Sequence, residues 1–319
     1  TAPTPSPSEP QAARKIKIPC ATGFEPIRDE PWRPAEPADA ESAGMNESLV
    51  EAIIYRYLQN IGEAEGRKIA EQVKLPFRIV EPILTRLKME QNVAYKNSTA
   101  TNDYCYILTE TGRNTARNHL ADSSYYGSCP VTLEHYIASV QYQTIEGQYP
   151  KKTDLQNAFN DLLINPKMLD RLGPAVASGR GMFLFGFPGN GKTSIAERVT
   201  GAFGKYIWIP RSVDVDGDVL RVFDPMTHEL DMPEPGSGLL DVGGFDKRWV
   251  RIRRPTVIAG GELTMDMLEV QHNPESNISE SPLQLKSNCG TLVIDDFGRQ
   301  KMAVDALLNL SLIHISEPT

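Results

Sequence analysis

Apolar residues along the chain change period several times, and each change marks a predicted element. From Met45 they recur at helical spacing (Val50, Ile53, Ile54, Tyr57, Leu58), behind Asn46 or Ser48 as a cap and ahead of Gly62 as a stop. A second short stripe of Ile69, Ala70 and Val73 closes at Leu75-Pro76. A third carries Ile79, Val80, Ile83, Leu84 and Leu87, with Pro82 expected to kink its early part. The period then drops to two. Val93-Ala94-Tyr95-Lys96 and Tyr104-Cys105-Tyr106-Ile107-Leu108 read as strands around a polar tip, residues 97–103. Another helix is expected after the run Leu108-Thr109-Glu110-Thr111-Gly112-Arg113. Residues 122–150 read as a connector in which Thr132 caps a helix bearing Leu133, Tyr136, Ile137 and Val140, with its aromatics expected to dock on the C-terminal half of the chain.

Beyond residue 150 short apolar runs alternate with helical spacing. Met182-Phe183-Leu184-Phe185 predicts a buried strand, and Ser194-Ile195-Ala196-Glu197-Arg198-Val199 a helix. Tyr206-Ile207-Trp208-Ile209 predicts a second strand. Residues 213–224 alternate around Asp216-Gly217, a strong hairpin signal. Residues 224–247 are rich in Gly, Pro and Asp and read as loop, and residues 248–254 form a basic β-type run. Gly260-Gly261-Glu262-Leu263-Thr264 leads into a helix through Leu268. Thr291-Leu292-Val293-Ile294 is an apolar strand pattern that ends on Asp295-Asp296.

The junction of the first strand and helix in this half carries chemistry. Gly186-Phe187-Pro188-Gly189-Asn190-Gly191-Lys192-Thr193 fits the phosphate-loop pattern G-x-x-x-x-G-K-[ST] at every fixed position. Glycines let backbone N–H groups converge on phosphate oxygens, and the positive end of the helix that begins near Ser194 adds to the attraction. Lys192 is expected to reach the β- and γ-phosphates, and the Thr193 hydroxyl to hold Mg²⁺. Asp295 and Asp296 supply the acidic strand end that such a loop needs: the first acid for Mg²⁺, the second to orient the attacking water. These residues predict ATP and Mg²⁺ as ligands. Asp214, Asp216 and Asp218 form an ion-loop fragment, but no glutamate comes after them at the spacing of an EF-hand.

The chain carries two resemblances. Three helices, a two-stranded wing and the L-T-x-x-G-R exit make residues 45–121 resemble a winged-helix domain, whose third helix often enters a DNA major groove. Ten Lys/Arg against nine Asp/Glu leave that span at +1, a weak electrostatic footprint for nucleic acid. A protein contact is therefore favoured over DNA, with DNA kept as the alternative. The motifs G-F-P-G-N-G-K-T and G-T-L-V-I-D-D make residues 151–309 resemble the AAA+ ATPases. That likeness implies an α/β P-loop NTPase fold, a parallel sheet with flanking helices, preceded here by the small α+β winged-helix domain. It also implies a homo-oligomeric ring and, in the full-length protein, ATP hydrolysis coupled to remodelling of a protein partner, with the present span expected to end early, bind Mg·ATP weakly and hydrolyse it poorly. Asp296 stands where the family usually has Glu, so a nucleotide-sensing scaffold with little hydrolysis stays open. Lys192 and Asp295 are 103 positions apart, about twice the separation expected of compact members, which points to an insertion at about residues 211–260. The resemblance places a sensor residue, an arginine finger and a lid after residue 309; Arg299 is expected to make a local ion pair instead.

Composition adds limits. A chain of 319 residues with 40% hydrophobic and 23% charged residues suggests more than one domain, and a net charge of −8 argues against a general nucleic-acid coat. Cys20, Cys105, Cys129 and Cys289 show no zinc or disulfide spacing, so reduced thiols and a cytoplasmic location are expected. No apolar run approaches the ~20 residues needed to span a bilayer. The first 44 residues hold nine of the 24 prolines and read as a disordered tail. Residues 310–319 resemble a translated sequencing adapter and are expected to be non-native, so His314 receives no role.

Overall fold

Local capping chemistry sets the first helices. The computed structural model describes residues 18, 20–21, 25–98, 103–162, 165–178, 181–187, 190–233 and 244–307. The Asn46 side chain accepts the Ser48 N–H and starts helix α1 (Glu47–Ile61); Gly62, at φ 85°, returns its N–H to Leu58 O and ends it. Strand β1 (Glu63–Glu65), helix α2 (Gly66–Val73) and helix α3 (Phe77–Met89) come next, with Lys74 left-handed at φ 60° between the two helices. Pro82 lies inside α3. Strands β2 (Val93–Ser98) and β3 (Tyr104–Leu108) complete an antiparallel sheet in the order β1-β3-β2, with a bulge between Tyr95 and Asn97. The alternation of apolar residues predicts β2 and β3; β1 is too short to show a period.

Helix α4 (Glu110–Asp122) explains the exit motif. Thr109 caps it by accepting the Gly112 N–H, and the Arg113 guanidinium donates to Leu108 O. A Cβ on Gly112 would lie 1.9 Å from Asn92 O, so only glycine lets α4 approach the α3–β2 turn this closely. The helices close over a shared core in which Val50, Ile53, Ile54, Ile69, Val73, Val80 and Leu84 are fully buried.

The connector holds strand β4 (Val131–Thr132) and helix α5 (Leu133–Gln143), capped by Thr132. Helices α6 (Lys152–Ala158), α7 (Pro166–Ala177) and α8 (Lys192–Val199) pack together with Phe203 in a separate core. Strands β5 (Tyr206–Pro210), β6 (Ser212–Val215), β7 (Asp218–Arg221), β8 (Trp249–Arg253), β9 (Thr256–Ala259), β10 (Gln271–Asn273) and β11 (Ile278–Glu280) come next, then helix α9 (Leu283–Lys286) and strand β12 (Thr291–Ile294). β6 and β7 form the hairpin that Asp216-Gly217 predicts, with both turn residues at positive φ (54° and 94°). Residues 265–268 form one 3₁₀ turn in place of the expected helix.

Several expectations change. The tail assigned to residues 1–44 is docked from residue 25 onward. Trp32 is buried edge-on against Trp249 (ring centroids 5.1 Å apart), and Ala35 and Phe245 form a bridge. Composition misled because a few side chains anchor the segment to distant partners, Glu30 among them: it accepts from Trp208 Nε1 (3.0 Å), Arg33 (2.8 Å) and Arg251 (3.0 Å). Within and beyond the span read as an insertion, β9 pairs in parallel with β12, and β10–β11 join the hairpin sheet in the order β10-β11-β7-β6-β4. Among the described residues no clear parallel phosphate-loop sheet forms: the parallel pairs are β9–β12, which stands as a two-stranded sheet, and β4–β6 and β7–β11 within the mixed five-stranded sheet. Residues 181–186 form no regular element and belong to no strand ladder; Met182 and Leu184 pack against the α6–α8 core while Phe183 and Phe185 are exposed. Residues 308–319, including His314, lie outside the described residues.

Candidate nucleotide-binding site

Gly191 sets up the site. It sits at φ 70°, a left-handed conformation that glycine adopts without strain, and so turns the chain into α8 with no side chain covering the helix start. The N–H groups of the first turn of a helix have no intrahelical partner, and here they belong to Lys192, Thr193 and Ser194. Lys192 Nζ folds back over the loop and donates to Gly186 O and Phe187 O, both at 3.2 Å. The loop carbonyls thus hold the ammonium at the mouth of the loop. Asn190 is exposed beside Gly191, and Pro188 and Gly189 lie outside the described residues.

The acidic strand end meets this helix. Thr193 Oγ1 donates to Asp295 Oδ2 at 2.7 Å, joining residues 102 positions apart. Asp295 Oδ1 accepts the Asp296 N–H at 2.9 Å, and its own N–H donates to Ala259 O on β9. The Thr193 hydroxyl first, then the Asp296 N–H and the Lys192 charge, hold the Asp295 carboxyl below the usual carboxylate range. It is therefore ionised at neutral pH, as a cation ligand must be. Asp296 is left-handed at φ 51°, and its carboxylate is exposed to solvent, 3.7 Å from Arg299. This is the local pair expected for Arg299.

Two supports escaped sequence reading. The Gln300 amide donates to Asp295 O (2.8 Å) and Asp296 O (3.1 Å), while its carbonyl accepts the Gly298 N–H. One glutamine therefore pins the turn that presents both acids. A threonine relay sits lower down: Thr256 Oγ1 donates to Thr200 Oγ1, and Thr200 Oγ1 to Thr291 Oγ1, each at 2.8 Å. Helix and strand are consequently tied at two levels, Thr193 to Asp295 and Thr200 to Thr291. The ties run in opposite order along the two elements, Thr193 to Asp295 and then Thr200 to Thr291, so α8 and β12 run antiparallel. No spacing rule flags lone threonines or a glutamine five residues after an acid.

The arrangement can hold an anion at the start of α8, and a divalent cation between a hydroxyl and an ionised carboxylate. No group of three or more His, Cys, Asp and Glu side chains capable of holding a metal occurs among the described residues. Asp214 instead caps the hairpin turn by accepting the Gly217 N–H at 2.9 Å. No helix among the described residues is long and apolar enough to cross a membrane. No model of a known protein family matches the chain, and no curated protein matches it significantly, so the functional reading rests on the residues themselves.

Proposed function

We propose that the chain binds ATP with Mg²⁺ and couples its hydrolysis to the remodelling of a protein partner. The observation that carries this reading is the 2.7 Å bond from Thr193 to Asp295, which joins a phosphate-loop threonine to an acidic strand end. In this reading Gly186, Phe187, Pro188, Gly189, Asn190, Gly191, Lys192, Thr193 and Ser194 surround the phosphates. Lys192 exchanges its loop carbonyls for phosphate oxygens. Thr193 and Asp295 are the residues that would hold Mg²⁺, and their hydroxyl and ionised carboxylate fit a hard cation that prefers oxygen ligands. Bound there, Mg²⁺ would neutralise charge on the β- and γ-phosphates. Asp296, free of the Thr193 bond and open to solvent, is the acid left to orient a water molecule.

The partner assignment draws on α3. Arg86 is engaged by Glu47 and Glu51, and Arg78 donates to Pro37 O and Ala38 O and pairs with Glu36. Cations already neutralised by the protein contribute little to phosphate-backbone binding, which favours a protein over DNA as the target of residues 45–121. Assembly into a ring rests on the family resemblance.

Lys192→Ala tests the site. Titration of Mg·ATP by calorimetry should show binding to the parent chain and none to the variant. Equal affinities would overturn the assignment. Asp295→Asn should keep ATP binding but remove its dependence on Mg²⁺; an unchanged Mg²⁺ requirement would remove Asp295 from the site.

A further inference from the structure

A cavity at the corner between two sheets has no part in the phosphate-loop reading. β5 ends at Pro210 and β6 begins at Ser212, so Arg211 alone turns the chain from the β5–β8 pair into the five-stranded sheet. Its backbone is fixed on both sides. The Arg211 N–H donates to Arg248 O (2.9 Å), and its carbonyl accepts from the Val222 and Phe223 N–H groups (3.1 and 3.3 Å). Its side chain lines a cavity of about 420 Å³ together with Arg221 and Phe223, and with Tyr125, Tyr126 and Ser128 from the segment after α4. That volume falls within the range of small-molecule sites.

Cations collect here in a chain of net charge −8. Arg211 Nε is buried without a hydrogen-bond partner among the described residues, and the guanidinium lies over the Phe223 ring, 5.9 Å from its centroid. Glu280 pairs with Arg221 at 2.9 Å on the rim, while Arg211 makes no ion pair among the described residues. A phosphate monoester presents three strong acceptor oxygens, enough to engage both guanidinium groups at once.

We propose that this corner is a second anion site, which takes the phosphate monoester group of a small organic ligand, with Arg211 as its central donor and Arg221 at its mouth. Arginine suits the role because its planar fork bonds two oxygens of one phosphate at once. The site lies between the segment that leaves α4 and the β6–β7 hairpin, so its occupant touches both and ties them together.

The test is calorimetric titration of the full chain with phenyl phosphate at low salt, repeated for Arg211→Gln, Arg221→Gln and Lys192→Ala. The parent chain should bind, binding should persist when Lys192→Ala removes the phosphate-loop site, and Arg211→Gln added to Lys192→Ala should weaken what persists at least tenfold. Should Arg211→Gln fail to fold, as judged by its melting curve, the half-exposed Arg221→Gln in the same background decides the matter with an expected loss of threefold or more. Absence of binding to the parent chain, loss in Lys192→Ala but not in the arginine variants, or equal affinity for the carboxylate benzoate would each overturn the proposal. A DNA duplex that displaces phenyl phosphate with a salt slope steeper than two phosphates would give the surface to a nucleic-acid backbone and overturn it as well.

Discussion

Residues 45–121 and the phosphate-loop region are built by opposite strategies. In the first, helices and sheet close over a core whose Val50, Ile53, Ile54, Ile69, Val73, Val80 and Leu84 are all 0% exposed. In the second, Phe183, Phe185 and Phe187 are 74%, 96% and 83% exposed, and every residue of β12 is only half-buried. Apolar burial is non-directional and tolerant, so it can specify a unit from periodicity alone. The site must instead place a hydroxyl against a carboxylate within tenths of an ångström, and directional bonds do that: Thr193 to Asp295, Gln300 to the acidic turn, Thr200 to Thr291. The contrast predicts that damage to the first region should cost stability without touching the site, and damage to the ties should do the reverse.

Leu84→Ala should produce the largest effect. Leu84 is fully buried in the first core, and such truncations cost about 2–5 kcal/mol through lost transfer and the cavity left behind. Urea unfolding followed by circular dichroism should show an early transition, while Mg·ATP affinity measured below that transition stays within twofold. A parallel fall in affinity would show that the two regions fold as one unit.

Glu30 joins the N-terminal segment to the β5–β8 pair, and Glu30→Gln should cost about 1.5–3 kcal/mol, the range for hydrogen bonds to charged groups. Burial alone would raise the Glu30 carboxyl. The hydrogen bonds from Arg33 and Trp208 and the charges of Arg33 and Arg251 outweigh it, and the net shift is downward from the usual 4.5. A lowered folded value means that the carboxylate's stabilisation is complete above about pH 4.5 and is lost as pH falls through the folded value. The parent chain should therefore lose stability on acidification below that point more steeply than Glu30→Gln. Parallel acid curves for the two proteins would remove Glu30 from the role assigned to it.

Legibility in the sequence divides along the same line. The stripes of Val50 to Leu58 and of Ile79 to Leu87 marked helices because contacts in that unit are short-ranged. The Asp216-Gly217 turn announced its hairpin for the same reason. Lys192, Thr193, Asp295 and Asp296 stood out as a candidate site because phosphate chemistry would restrict the residue types at those positions. What was hidden depends on partners far along the chain. Trp32 and Glu30 anchor a proline-rich segment through Trp249, Trp208 and Arg251, more than 170 residues away, and composition carries no trace of that. β9 looked like part of an insertion because its pairing with β12 crosses 35 residues. Residues 182–185 are a continuous apolar run, which reports a tendency to be buried, not whether the backbone finds a neighbour.

Thr200→Val gives the smallest expected change and the sharpest comparison. Valine matches threonine in shape but lacks the hydroxyl that takes the Thr256 proton and donates to Thr291. Thr200 is buried, so two neighbours lose a partner, at a cost of about 1 kcal/mol. Nothing within the phosphate loop changes. Because α8 and β12 are tied at two levels, loss of the lower tie leaves Thr193 and Asp295 to hold the helix start alone. Mg·ATP affinity should therefore fall several-fold, out of proportion to the loss in stability. Thr193→Val removes the upper tie and a proposed Mg²⁺ ligand together, and should lose more affinity for no greater loss of stability. If Thr200→Val lowers the melting temperature and leaves affinity unchanged, the relay only joins helix to strand, and the upper tie suffices to position the site.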